Sequence, residues 1–221
     1  MLFRSKLEKI TYEEMLEMAS VGAKILQTRA VEMAMKHGVR LQVLSSFSDE
    51  PGTLVIDEDE IVEQELVSGI AYSRDEAKIT LIQVADRPGV AAGIFGPLAD
   101  ASVNVDMIVQ NVSADQKTTD LTFTVTKADL DRAVAILEER RDDLGYAGLV
   151  ADADVVKVSV IGVGMRSHAG VALRMFQTLA EKGINIQVIS TSEIKVSVLI
   201  AEEYTELALR ALHGAYGLDV D

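Results

Sequence analysis

The sequence predicts an α+β protein built from two similar units, each in the order strand, helix, strand, strand, helix. Two observations carry this prediction. Runs with β-branched alternation, typical of half-buried strands, recur as KITLIQV at 78–84 and KVSVIGV at 157–163. Each run is followed by a glycine corner and a helix-like segment, with GVA at 89–91 and again at 170–172. Internal similarity in matched order indicates a duplicated structural unit.

The element order predicts where each unit finds its last strand. With a closing strand it becomes βαββαβ, the ferredoxin-like arrangement of an antiparallel sheet with two helices on one face. The first unit can close with YAGLVAD at 146–152, whereas little chain follows the last helix of the second. Because a missing strand leaves an open sheet edge, we expect LVSGIAY at 66–72 to pair into the second unit, so that the first unit is inserted into it. The alternatives are a stub strand formed by the tail GLDVD, or an edge that pairs with another molecule.

The residues before the repeat form a short αβ segment. Thr11 and Glu14 have the spacing of a capping box at the start of a helix. Thr28 is expected to cap a second helix, which Gly38 ends. Strand-like runs follow at 41–47 and 53–55.

The resulting organisation has four parts. Residues 1–56 form the αβ segment, and the acidic stretch 57–65 is a linker or a short helix. The first unit covers 76–152. The second combines 66–75 with 153–221.

Composition narrows the function class. A net charge of −14 argues against nucleic acid or an anionic membrane as the main partner. The chain has no cysteine, which excludes disulfides and thiol chemistry and fits a cytoplasmic protein. No apolar run approaches the length of a membrane span. The histidines are far apart and lack HExxH spacing, so no metal site is expected.

The first corner, DRPG at 86–89, carries the clearest chemical signal. Proline suits a first helical turn, and glycine lets another group approach the backbone. The N–H groups of Gly89, Val90 and Ala91 would then point out of the helix start and favour a carboxylate. Asp86 beside them could take an ammonium group. A carboxylate receiver next to an ammonium receiver is the minimum needed to recognise a free amino acid.

Further polar residues follow in the next strand-like run, VNVDMIVQN. Asn104, Asp106 and Gln110 could supply contacts to a ligand side chain. The alternative interpretation is that the corner is an ordinary turn and that Asp86 only caps the helix. At the second corner, His168 is favoured as a hydrogen-bond partner within a loop or an interface over a base or a metal ligand.

At these residues the sequence resembles a known family. The stretches VADRPGVAAGIF, NVDMIVQN, GVGMRSHAGVA and NIQVISTSEIKVSVLI resemble the paired ACT domains at the C-terminus of bacterial aspartate kinase. The stretch from 9 to 34 and SSFSDEPGTLV resemble the end of that family's amino-acid-kinase catalytic domain. The resemblance implies the same inserted topology.

The resemblance also implies a function. In the family, the ACT pair binds threonine, lysine or both and inhibits the MgATP-dependent phosphorylation of aspartate in lysine, threonine and methionine biosynthesis. The effector lies between an ACT unit of one chain and the other unit of its partner in a homodimer. Some members are regulatory subunits that partner a full-length catalytic subunit. The family's phosphate-handling KFGGT stretch is not found here, so this chain is expected to bind no cofactor and to be inactive alone as a kinase.

Matching motifs carry the family's site onto this chain. The implied effector positions of the first unit are Asp86, Gly89, Val90, Ala91, Asn104, Asp106 and Gln110. From the second unit, Asn185 and Ile186 would face the site, and Met165, Ser167 and His168 would border the second corner. Threonine is the favoured effector, with lysine next, because Gln110 suits a small polar side chain and Asp106 suits a cation. The competing hypotheses are an assembly subunit that binds no small molecule and a chain that retains kinase activity.

Overall fold

The computed structural model describes residues 6–61, 66–112, 117–168 and 170–218. It divides the chain into two compact units. The outer unit combines Met1–Ser73 with Lys157–Asp221, and the inserted unit is Arg74–Val156. The predicted insertion of the first repeat into the second is therefore confirmed. The structure groups the N-terminal segment with the second repeat, and the finer domain boundaries stay predictions.

The N-terminal segment of the outer unit is a small sheet with two helices. Strand β1 is parallel to β3, and β2 is antiparallel to β3, in the order β1-β3-β2. Ile10, Met15 and Val55 are buried in the core of this segment. The elements are β1 (Lys9–Thr11), α1 (Tyr12–Ser20), α2 (Thr28–His37), β2 (Leu41–Val43) and β3 (Thr53–Ile56).

Of the two predicted helix caps in this segment, one is confirmed and the other is wrong. The capping box is confirmed: the Glu14 N–H donates to Thr11 Oγ1, and the Thr11 N–H donates to Glu14 Oε2, both at 3.1 Å. The predicted cap by Thr28 is wrong. Thr28 is the first helical residue of α2, and Gln27 holds the cap position in an extended conformation without a side-chain hydrogen bond. Gly38 ends α2 in the left-handed conformation, as predicted.

Strand β2 is shorter than the predicted run 41–47. It ends at Val43, which lies opposite Thr53, the first residue of β3. The residues that would pair beyond this point are Gly52 and Pro51, which precede β3. Proline has no N–H to donate to a neighbouring strand. The strand ends because its partner ends.

Two long strands replace two pairs of predicted strands. Most of the runs 66–72 and 78–84 lies in one strand, β4 (Gly69–Ala85), and most of the runs 146–152 and 157–163 lies in another, β7 (Gly148–Ile161). The sequence predicts four separate strands, with the connecting stretches SRDEA at 73–77 and ADVV at 153–156. Neither stretch contains proline or glycine, so nothing in the backbone interrupts the extended conformation.

The inserted unit has the predicted βαββαβ order, with strands arranged β5-β6-β4-β7. Its core includes the fully buried Ile79, Ile94 and Phe123, and the rings of Phe95 and Phe123 meet edge to face with centroids 5.2 Å apart. Besides the later part of β4 and the start of β7, its elements are α3 (Val90–Asp100), β5 (Asp106–Val112), β6 (Thr118–Val125), α4 (Leu130–Glu139) and α5 (Arg141–Leu144).

The second repeat completes the outer unit, with strands arranged β4-β7-β9-β8. The N–H of Ser68 donates to the carbonyl of Ile161 at 2.8 Å, so the run 66–72 pairs into this repeat as predicted. Of the tail that could have formed a stub strand, residues 219–221 lie outside the described part. The remaining elements are α6 (Val171–Glu181), β8 (Val188–Thr191), β9 (Lys195–Ala201) and α7 (Thr205–Tyr216).

The acidic stretch contains one turn of 3-10 helix, Glu58–Glu60, which follows Asp57. Residues 62–65 of the predicted linker lie outside the described part. Across the described ranges, none of the helices combines the length and the apolarity that a membrane crossing needs.

Candidate ligand site at the first corner

The first corner is a turn closed by a left-handed glycine. Strand β4 ends at Ala85, and α3 begins at Val90 with Gly89 as its cap residue at φ 89°. Pro88 therefore precedes the helix, and its predicted place in the first helical turn is wrong. Gly89 separates the two because the chain enters the helix through a positive φ that only glycine adopts at low cost.

The backbone donors of the corner are fewer than predicted. The Val90 N–H donates to the carbonyl of Arg87 at 3.2 Å and is not available to a ligand. Within the described residues, the N–H groups of Gly89 and Ala91 have no backbone acceptor. A Cβ on Gly89 would find no atom within 4 Å, so the corner is open to an incoming group.

A cavity of about 300 Å³ lies beside this corner in the inserted unit. Leu144 is buried and gives the lining an apolar part. One side comes from the corner and the first turn of α3, and the other from the segment after α4. The lining residues are Arg87, Pro88, Gly89, Val90, Gly93, Arg140, Asp143 and Leu144.

Charged groups are arranged on both sides of the cavity. Arg87 Nη2 donates to the carbonyl oxygen of Asp143 at 3.0 Å, which holds this guanidinium at the cavity. Within the described residues, the guanidinium of Arg140 has no hydrogen-bond or ion-pair partner. Two guanidinium groups can bind a carboxylate through several N–H donors, and the Asp143 carboxylate can accept from an ammonium group. The cavity therefore suits a small zwitterion.

Asp86 lies at the mouth of the corner. Its side chain is exposed and makes no capping hydrogen bond to α3, so the alternative role as a helix cap is not seen. Its N–H donates to the carbonyl of Lys117 at 2.9 Å, which fixes the backbone beside β6. The carboxylate is thus held near the corner while remaining accessible.

The polar residues after α3 are less close together than their sequence suggests. Asn104 precedes β5 instead of lying on it, and Asp106 is the first residue of the strand. Asp106 lies opposite Thr124, which pairs with Lys78 on β4. The corner follows Ala85, so Asp106 is level with a point roughly 23 Å back along β4, at about 3.3 Å per residue.

Gln110 lies in the half of the sheet nearer the corner. It is opposite Leu121, which pairs with Leu81 on β4. From Leu81 to Ala85 the strand advances roughly 13 Å. The register therefore separates Gln110 from Asn104 and Asp106, and the effector roles of all three stay predictions.

The second corner, in the outer unit, repeats the geometry of the first. Helix α6 follows Gly170, whose φ is 110°, and the Arg174 N–H donates to the Gly170 carbonyl at 2.9 Å. The Gly93 N–H donates to the Gly89 carbonyl at the same distance in the first corner. Duplication therefore extends from the sequence to the hydrogen bonds of the corners.

The other predicted residues of the outer unit lie in loops and turns. Met165 and Ser167 belong to the 3-10 turn Val163–Ser167, and the Ser167 side chain lies outside the described part. His168 follows that turn, and its Nδ1 is 3.0 Å from the carbonyl oxygen of Gly164. Asn185 is exposed and Ile186 half-buried, just before β8.

Sequence reasoning missed Arg140, Asp143 and Leu144. They reach the corner only through the packing of the helices, because Arg140 is far from Arg87 along the chain. Their one visible signal is a basic pair, Arg140 and Arg141, directly after an amphipathic helix. No spacing rule connects that pair to a glycine corner.

Comparison with known proteins finds a matching family model and relatives with similar sequences. A family model described as ACT domain matches residues 70–140 and 158–216. An aspartate kinase of Pseudomonas fluorescens (strain SBW25) is 60% identical over 215 residues, covering 97% of this chain and 52% of the relative. The chain thus spans about half the length of the curated relatives that it matches.

Two solved structures extend the comparison. The crystal structure of aspartokinase alpha and beta subunits matches with 54% identity and a TM-score of 0.65, over 68% of this chain and 99% of that one. The ligand-free regulatory subunit of aspartate kinase from Thermus thermophilus matches with 41% identity and a TM-score of 0.64, over 68% of this chain and 98% of that one.

Proposed function

This chain belongs to the aspartate kinase family, in which it corresponds to the regulatory ACT region, and from that premise we propose that it binds an end-product amino acid at the first corner. The bound effector, threonine or lysine, would inhibit the phosphorylation of aspartate by an attached or partner catalytic region in the cytoplasm. The assembly would be a homodimer through ACT units, with or without a full-length catalytic subunit.

The observation that carries the proposal is the cavity beside the corner. Arg87 and Arg140 supply donors for an α-carboxylate, and Asp143 and Asp86 supply acceptors for an α-ammonium group. Groups of both charges are what the two ends of a free amino acid need. The two arginines stand out in a chain whose net charge is −14, where their meeting at one cavity does not follow from composition.

The strand register does not choose between threonine and lysine. Asp106, expected to suit a lysine side chain, is level with Lys78 and about 23 Å along the sheet from the corner. Gln110, expected to read a small polar side chain, is about 13 Å away by the same measure. Neither distance can be spanned by the side chain of an amino acid bound at the corner of the same chain, so threonine stays the favoured ligand, with lysine next, only as the sequence predicts.

Inhibition would follow from unequal affinity for two states of the kinase. An effector shifts a conformational equilibrium only by the difference between its affinities for the two states. Typical couplings are about 1–3 kcal/mol, so the effector needs to bind the inhibited state only about 5- to 150-fold more tightly.

Thermal melting of the chain with threonine, lysine or methionine tests the proposal. One-site binding predicts about 2.7 kcal/mol of stabilisation at a ligand concentration one hundred times Kd. Threonine is expected to raise Tm, and Arg140→Gln to weaken its binding by about 10- to 150-fold, the loss of a charge-assisted hydrogen bond.

Arg132→Gln is the matched control. Arg132 lies on α4 before Arg140, is exposed, and pairs with Asp129 at 2.6 Å, outside the cavity lining. An exposed pair contributes little to stability, so this variant should bind like the parent chain. Equal binding by the Arg140 and Arg132 variants would contradict the assigned site. No response to any amino acid by a chain that still dimerises would instead support a pure assembly subunit.

A further inference from the structure

Glu14 has a second set of contacts that its capping box does not need. It lies in the first turn of α1 and is 2% exposed. Oε2 accepts from the N–H and the hydroxyl of Thr11, each at 3.1 Å. Oε1 accepts from the hydroxyl of Ser68 and, at 2.8 Å, from the N–H of Val163.

The contact to Val163 joins residues far apart in the chain. Val163 begins the 3-10 turn of the second corner, and it is 149 residues from Glu14. A buried carboxylate is stable only if hydrogen bonds replace its lost hydration. Four uncharged donors from three segments of the outer unit provide that replacement, so displacing any segment removes at least one hydrogen bond from the buried carboxylate.

The start of the second corner is closely packed around this contact. The Gly162 N–H donates to the carbonyl of Ile194 at 3.0 Å. A Cβ on Gly162 would lie 2.6 Å from the carbonyl oxygen of Leu66, closer than real Cβ contacts come. Val163 therefore has little freedom to move independently of its neighbours, and a movement of the corner is transferred to Glu14.

Two ion pairs at the surface also join the N-terminal segment to the second repeat. Lys195 Nζ lies 2.7 Å from Glu17 Oε2, and Arg166 Nη1 lies 2.7 Å from Glu58 Oε2. All four side chains are partly exposed, so solvent weakens these pairs. Glu14 is the buried connection.

We propose that Glu14 is a positioning residue that couples the second corner to helix α1. A ligand or partner that reshapes residues 163–168 changes the stability of the first turn of α1 through this carboxylate. The part of the inference that concerns a ligand rests on the function proposed above. The coupling itself is a property of the ligand-free chain and is tested there.

Amide hydrogen exchange of the full chain, read by NMR, tests the coupling. Thr11→Val keeps the shape of the side chain but removes the hydroxyl that contacts Glu14. We expect exchange to accelerate at the first turn of α1 and also, by about tenfold, at the distant Val163 amide. The acceleration at Val163 should exceed that of the buried amides of β9, which report global unfolding.

The matched control is Ser20→Ala. Ser20 is the last residue of α1, and its hydroxyl donates to the carbonyl of Glu17 at 2.8 Å without touching Glu14. This variant should leave Val163 exchange unchanged. Acceleration confined to α1 in Thr11→Val, or equal acceleration at Val163 in both variants, would overturn the proposal.

Glu14→Gln separates coupling from local packing. Thr11 and Val163 donate to different oxygens of Glu14, and an amide keeps only one oxygen, so glutamine at this position cannot accept at both places. Adding Thr11→Val to Glu14→Gln should then produce no further acceleration at Val163, a non-additive result. An additive result would show that Thr11 acts on Val163 by another route and would refute the role of Glu14.

Threonine provides the ligand arm. In the proposed homodimer, threonine at the first corner of one protomer would face the second unit of its partner, so saturating threonine should change α1 exchange in the parent chain. In Glu14→Gln, threonine should still bind at the first corner, and α1 exchange should not change. Binding with an unchanged α1 in the parent chain would refute transmission. If threonine does not bind, the proposed function fails, and the ligand-free variants still decide the coupling.

Discussion

Two glycines of helix α3 should respond to alanine with opposite signs. Gly89 caps the helix at φ 89°, whereas Gly93 lies within it and has no positive φ. A Cβ on Gly89 would meet no atom within 4 Å, and a Cβ on Gly93 would lie 3.6 Å from Leu144 Cδ2, an ordinary van der Waals distance. Neither added Cβ is crowded, so the main difference between the two variants is the backbone conformation.

The expected magnitudes follow from that difference. Holding alanine in the left-handed region costs about 1–2 kcal/mol, so Gly89→Ala should lower the free energy of unfolding by this amount. Inside a helix, alanine is better than glycine by about 0.5–1 kcal/mol, so Gly93→Ala should raise it. The two variants should differ by about 1.5–3 kcal/mol.

Urea unfolding followed by far-ultraviolet circular dichroism measures both variants. Because both changes lie in the inserted unit, the same transition reports them, and the m-value should stay constant. A shift of the midpoint in the same direction for both would refute the reasoning.

Three further predictions concern buried groups. Ser159 and Ser197 share a hydrogen bond of 2.7 Å, so either single alanine variant should cost about 1–3 kcal/mol and the double variant less than the sum of the two in urea unfolding. Burial raises the pKa of Tyr216 to about 12, from 10.0, so the folded state retains a proton that the unfolded state loses, and stability should fall between these pH values. The fall should be smaller in Tyr216→Phe, in which Tyr12 and Tyr146, whose pKa values burial also raises, still contribute. Phe123→Ala should cost about 3–5 kcal/mol by urea unfolding, because its side chain is fully buried.

Local patterns predicted the parts of the fold that depend on neighbouring residues. The capping box of Thr11 and Glu14 forms as its spacing indicates, because both partners lie within one helical turn. The repeat and the missing strand together predicted the insertion, because an unpaired edge is costly. By contrast, the polar connection between 72 and 78 looked like a break but is part of β4.

Tertiary packing decided what the sequence could not show. Arg140 reaches the first corner only because α4 ends beside α3, and no local motif records that approach. The second role of Glu14 is similar, since Oε2 satisfies the local motif while Oε1 binds Val163. Asp106 and Gln110 lie in one short run, yet the strand register separates them and puts Gln110 about 13 Å and Asp106 about 23 Å along the sheet from the corner.

The insertion also determines the order in which this protein can mature on the ribosome. Domains usually fold as their residues emerge, beginning at the N-terminus. Here the hydrogen bond to Glu14 cannot form until Val163 has been synthesised. The bond to Glu17 needs Lys195, which is 178 residues later. The inserted unit needs only residues 74–156 and is complete before either partner is synthesised. Glu14 and Glu17 are therefore secured long after they are translated, and a nascent chain that stalls before β9 has a complete inserted unit and an incomplete outer one.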